Sequence, residues 1–145
     1  MPSDDTIKLL NECNAGIKMG VESINEVIDR VKNDDLRNIL NKYLEDNKNL
    51  GDKTHEYLNQ FHDSGKEPNP IAKTMSWFKT NIKLLQGSDV DEQIADLMTD
   101  GCNMGIKSIY RYLNKYPNAN NDVKGLAKDI IKSQEKFLDD LRIFL

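Results

Sequence analysis

Few side chains in this 145-residue chain are suited to chemistry, and most of those stand on helical faces. His55 and His62 are the only histidines. With Asp52 and Asn59 they fall at i, i+3, i+7 and i+10, which lines them along one side of a helix. Asp52-x-x-His55 is a metal-ligand spacing, since one turn brings a carboxylate and an imidazole together. In a chain that is 30% charged the expected role of this row is a solvated flank, with an opportunistic surface metal site as the alternative. Cys13 and Cys102 are the only cysteines. A thiol reacts as the thiolate, and a buried thiol is inert unless a cation lowers its pKa. Lys18 and Lys107 lie five residues along and do not face the sulfurs, so core packing is expected. A redox pair would need the two sulfurs to be neighbours. Two cysteines make no disulfide scaffold. Glycine-rich phosphate loops, Ser-His-Asp sets and zinc-type cysteine clusters are missing from the sequence.

The elements that carry these residues follow from apolar spacing. Prolines stand only at 2, 68, 70 and 117. After the first, Leu10, Cys13, Ile17, Gly20, Ile24, Val27 and Val31 recur at alternating steps of three and four, the pattern of a packed helix. Ser3 supplies an N-cap, and Asp4 and Asp5 suit the positive end of the helix dipole. The break at Lys32-Asn33-Asp34-Asp35 leads into a second stripe through Leu36, Leu40, Tyr43, Asn47, Leu50, Thr54, Tyr57 and Phe61. So short a turn between long helices makes them antiparallel. Residues 64–70, rich in Gly and Pro, predict a turn or linker. Ile71, Met75, Phe78, Ile82 and Leu85 then mark a short amphipathic helix. Gly87 is placed as its C′ residue, with Ser88 or Asp89 capping the next helix. The remaining stripes run Ile94, Met98, Cys102, Gly105, Ile109, Tyr112, Tyr116 and Val123, Ala127, Ile130, Gln134, Phe137, Leu141, Phe144. A turn at 116–121 joins them, and no segment reads as a strand.

The two halves resemble each other. Cys13-Asn14-Ala15-Gly16-Ile17-Lys18 returns as Cys102-Asn103-Met104-Gly105-Ile106-Lys107, five identities in six. With two residues dropped from the turn, Leu50 then meets Phe137 and Asp52 meets Asp139. The chain therefore reads as one all-α domain over 1–145. Hairpin 1 covers about 3–63, a crossover with a short helix about 64–88, and hairpin 2 about 89–145. A crossover of roughly 25 residues is long enough to cross the length of a bundle, given about 1.5 Å per helical residue.

On these features the chain resembles the ferritin-like superfamily. More narrowly, it is similar to a bacterial family of four-helix-bundle proteins of unknown function. The residues carrying that likeness are the two hairpins, Trp77-Phe78-Lys79 in the crossover helix, Leu84-Leu85-Gln86-Gly87 before an acidic helix start, and Tyr110. The resemblance implies a ferritin-like four-helix bundle with one long crossover. Ferritin-like enzymes hold two irons with a Glu from each of two helices and Glu-x-x-His from each of the others. Here Asn47 and Gln134 hold the core-facing polar positions of helices two and four. Leu50 and Phe137 follow three residues later, where His would stand. Ile17, Gly20, Ile106 and Ile109 occupy the matching depth on the other two long helices. An amide is a weak, neutral ligand, so the expected state is a degenerate di-iron site with no catalytic, cofactor-binding or metal-ligating residue assigned, and no cofactor. Asn47 and Gln134 then serve as a buried polar pair fixing register, or as the remnant of a small-molecule pocket.

Gly16, Gly20, Gly101 and Gly105 each lower helix propensity, by about 1 kcal/mol relative to Ala. Something must approach the backbone there, a neighbouring helix or a ligand. Trp77 and Leu84 lie on a second apolar side of the crossover helix, where self-association into a homo-oligomer is expected and packing on a long helix is the alternative. A net charge of -4 disfavours nucleic acid and anionic membranes as partners. No run approaches the ~18 apolar residues of a membrane span. The start, MPSDDTIKLL, has no basic and apolar regions of a signal peptide. The expectation is a cytoplasmic, non-enzymatic bundle acting through self-association or protein binding. A metal-binding or redox protein is the alternative.

Overall fold

Every helix end needs partners for backbone groups that the helix leaves unpaired, and specific residues of this chain supply most of them. The computed structural model describes residues 3–61 and 69–145, with the backbone alone at 69–74. Five α-helices form: α1 (Asp4–Val27), α2 (Asp34–Gln60), α3 (Asn69–Lys83), α4 (Val90–Lys115) and α5 (Asn121–Leu141). There is no strand among the described residues. No helix among them is long and apolar enough to cross a membrane. His62 and the expected linker residues 64–68 lie outside the described residues.

Ser3 caps α1 by accepting from the Thr6 N–H at 3.2 Å, as its place before Asp4 and Asp5 implies. The first stripe runs to Val31, but the α-helix stops at Val27 and tightens into a 3-10 turn over Ile28–Arg30. Asn33 caps α2 through the Asp35 and Leu36 N–H groups, and Asn120 caps α5 through Val123 N–H. Two expectations at the crossover need correction. The helix begins at Asn69 rather than Ile71, with Pro70 in the first turn, where its missing N–H is tolerated. It ends at Lys83, so Leu85 lies past it and Gly87, at φ 91°, turns the following loop rather than serving as C′. The end of α3 is closed instead from the 3-10 turn after α1. Arg30 donates to the Ile82 carbonyl at 3.2 Å and the Leu85 carbonyl at 2.9 Å.

Contacts at the helix starts set the directions. Asp91 in the first turn of α4 accepts from the Lys32 and Asn33 N–H groups, both at 2.8 Å, so α4 starts beside the start of α2. At the other end, Asn120 N–H donates to Thr6 Oγ1 at 2.9 Å and Ser3 Oγ donates to the Asn118 carbonyl at 2.9 Å. That places the start of α5 beside the start of α1. Helices α1 and α5 therefore run one way and α2 and α4 the other. Because α2 finishes at the end opposite the start of α4, the chain must return along the bundle, and α3 is part of that return. It packs mainly on α1 and also meets α4.

The core divides into two apolar clusters, one toward each end. One contains Ile24, Val27, Leu36, Leu40, Ile94 and Leu141, with Phe78 and Ile82 from α3. The other contains Leu9, Leu10, Cys13, Leu58, Val123 and Leu126. Burial of such side chains contributes about 1.5–3 kcal/mol each. Direction and register, though, come from the polar latches at the ends. Replacing Asp91 with Ala is expected to destabilise the fold by about 1–2 kcal/mol, through loss of two charge-assisted bonds to backbone N–H. Asp139→Ala, which breaks only an exposed pair with Arg142, is expected to change the denaturant midpoint little. Equal midpoints for the two variants would contradict this role for Asp91.

Candidate functional site

Between the two apolar clusters lies one layer with a residue from each long helix: Gly20 on α1, Asn47 on α2, Gly105 on α4 and Gln134 on α5. Each sits in its stripe between residues of the two clusters, as Gln134 does between Ile130 and Phe137. Asn47 and Gln134 are 3% and 7% exposed. The glycines let the amides in. A Cβ on Gly20 would stand 3.1 Å from Asn47 Oδ1, and one on Gly105 would stand 2.7 Å from Gln134 Nε2. Those two low-propensity residues are thus explained by close packing of helix on side chain.

The amides are bonded unequally. Asn47 Nδ2 donates to the Tyr43 carbonyl one turn back at 2.8 Å. Gln134 Oε1 is buried with no hydrogen-bond partner. The Tyr43 ring stacks on Phe137 at a centroid separation of 4.0 Å, joining α2 to α5. Its hydroxyl accepts from the Cys102 thiol at 3.9 Å. Burial pushes that hydroxyl well above its usual range, Cys102 adds to the shift, and the Asn47 and Gln134 amides oppose it. Burial likewise pushes the Cys102 thiol up to about 12, with Tyr43 opposing. The layer and its surroundings are therefore uncharged at neutral pH, because this little-hydrated site disfavours every ionised form.

Cys102 and Cys13 are both free. They belong to different core clusters, on either side of the layer, so they are not neighbours. Burial, with the nearby Glu12 charge adding, pushes Cys13 to about 12 as well, which matches the core-packing expectation for both thiols. Glu12 itself was not singled out by the spacing. It is half-buried beside Cys13, raised by its own burial and lowered by the Tyr112 hydroxyl and Lys115. Its place next to a stripe position was the available signal. Asp52 and His55 are exposed on α2, beside a groove against α1 that Lys18 and Glu22 also line. No group of three or more His, Cys, Asp or Glu that could hold a metal ion occurs among the described residues.

The remaining glycines reveal a feature that the stripes alone do not. A Cβ on Gly16 or on Gly101 would meet nothing within 4 Å. Both line a small cleft of about 40 Å³, open to solvent, between α1 and α4 and beneath α3. Met19, Met98 and Met104 share its walls with Trp77 and Phe78, and Tyr43, Cys102 and Gln134 reach it from inside. The signal for it was the set of four glycines on α1 and α4. The sequence did not separate the two that admit amides from the two that face open space.

That separation is measurable. Gly16→Ala and Gly101→Ala are each expected to stabilise the fold by up to about 1 kcal/mol, the helix-propensity gain of Ala over Gly. Gly105→Ala must displace the Gln134 amide and is expected to be the least stable of the three in thermal unfolding. A Gly105→Ala protein as stable as the other two would contradict the close approach.

The sequence matches no family model and no curated protein sequence. In three dimensions the chain is similar to a DUF305 fragment from Deinococcus radiodurans, a domain of unknown function. The TM-score is 0.78 at 12% identity, over 97% of this chain and 95% of that one. At that identity the likeness is one of fold: an all-helical bundle shared by two distant sequences.

Proposed function

We propose that this chain is a single ferritin-like domain of two repeated hairpins whose di-iron position has been taken over by neutral groups, and that it acts by association rather than catalysis. The observation that carries the reading is the composition of the central layer. Two amides and two glycines stand where a di-iron bundle places carboxylates and histidines, and without the carboxylates nothing balances the charge of two hard cations. The opposed directions of α1 and α4 support the repeat. They put the matched cysteines Cys13 and Cys102 on opposite sides of the layer, as two hairpins related by a half-turn would. Two free thiols suit a reducing, cytoplasmic setting.

For the association surface we favour α3 and the loop after it. Trp77 is 37% exposed and Leu84 67% exposed. Together with Asn81 and Leu97 they border a shallow groove between α3 and α4. Large exposed apolar side chains grouped on one helix mark an interaction surface more often than a scattered one does. The occupant proposed is a second copy of the chain. Leu84→Ser, far from the core, is then expected to raise the elution volume on size exclusion with unchanged helical content, and Trp77→Ala to do the same. Wild-type protein that elutes as a monomer at high concentration would refute self-association. The metal-binding alternative rests on Asp52 and His55, which have the spacing of two ligands but lack a third beside them among the described residues.

A further inference from the structure

The surface around α3 carries a charge pattern that its apolar residues do not explain. Trp77 and Leu84 fall on the side of α3 toward α4, where they border the groove. Lys79 and Lys83 are exposed about 100–160° further round the helix, and Thr80 is exposed between the two sets. On the far wall of the groove α4 exposes Asp96 and Asp100. From α4 outward the face therefore runs acidic, apolar, polar and basic. None of the four charged side chains has an ion-pair partner among the described residues. Helices α3 and α4 run in opposite directions. Gln93 Nε2 donates to the Gln86 carbonyl at 2.7 Å at one end, and Trp77 and Gly101 share the cleft further along. Lys83 thus stands level with Asp96, and Lys79 level with Asp100. Each pair spans four residues on its own helix, so the two spacings match.

On the basis of self-association through α3, we propose that two copies pair across a two-fold axis parallel to α3, with Lys79 and Lys83 of each copy facing Asp100 and Asp96 of the other. Both copies of a two-fold dimer use the same patch, so the patch must complement itself. An axis along α3 keeps every residue at its own level and exchanges the two flanks, so acid meets base on both sides of it. An axis across α3 leaves each flank facing its own kind, with acid on acid and base on base. Charge thus selects the arrangement in which the two α3 helices run parallel. In it, Trp77 and Leu84 of one copy pack near Thr80 of the other. Apolar contact supplies the affinity, and the charges choose the partner and its orientation. Because acid and base lie on one surface with matched spacing, a second copy is the occupant that fits. Exposed ion pairs contribute little singly, but like charges set opposite one another suppress association strongly.

The test is a charge swap in the full chain, read by sedimentation velocity over a concentration series. One variant carries Asp96→Lys with Asp100→Lys, the other Lys79→Glu with Lys83→Glu. All four residues are exposed and unpaired, so both variants are expected to keep the helical content of the wild type. Alone, each variant sets like charges opposite one another on both sides of the axis. Each is expected to self-associate at least about tenfold more weakly than the wild type. Mixed one to one, the two variants restore opposite charges on both sides, and a mixed dimer of near wild-type affinity is expected. A variant that dimerises alone as well as the wild type would overturn the pairing, and so would a mixture that stays monomeric. Those results leave self-association standing, because the wild type still dimerises. A wild-type monomer at high concentration refutes self-association, and this arrangement with it.

Discussion

The structure depends on keeping a polar layer in mid-core without charge. Water is largely excluded there, so an ionised side chain would need a partner of opposite sign or a metal. The chain meets the constraint with amides, a phenol and a thiol, and it holds the phenol and thiol protonated by burial. Gly20 and Gly105 are a direct consequence, since any larger residue would crowd the amides. The stacking of Tyr43 on Phe137 is another, because it closes the wall that carries the phenol. The layer also separates the two apolar clusters, so each end packs against a polar boundary.

The ends obey a different rule. Their polar groups are exposed, and their work is to pair backbone atoms that the helices leave open. Asp91 ties the start of α4 to the α1–α2 turn, Arg30 closes the end of α3, and Ser3 and Thr6 hold the α4–α5 turn. These bonds join segments far apart in sequence, and they make the long return between α2 and α4 part of the fold.

Periodicity made much of this legible. The stripes placed four long helices and a short one, the cap at Ser3 and the polar break at residues 32–35 lay in plain view, and Asn47 and Gln134 stood out as polar residues in apolar positions. What escaped were contacts between distant residues. Nothing local in the crossover announces that Arg30 would close α3, so the extent of that helix and the role of Gly87 were misjudged. The four glycines looked alike in sequence, yet their neighbours on other helices divide them into two that admit amides and two that face a cleft. Glu12 flanks a stripe rather than standing in one, so its place beside Cys13 was the one sign of its partial burial. The likeness to a DUF305 fragment at 12% identity makes the same point: a shared fold survives where little sequence does.

The claim on which the functional account turns is that the central layer holds no metal. The direct measurement is the iron content of protein purified without an affinity tag, loaded with ferrous iron, exposed to air and then desalted. Neutral amides flanked by protonated phenol and thiol cannot balance two divalent cations, so the account expects no stoichiometric iron to remain. About two irons per chain, retained and oxidised as in a di-iron bundle, would contradict it.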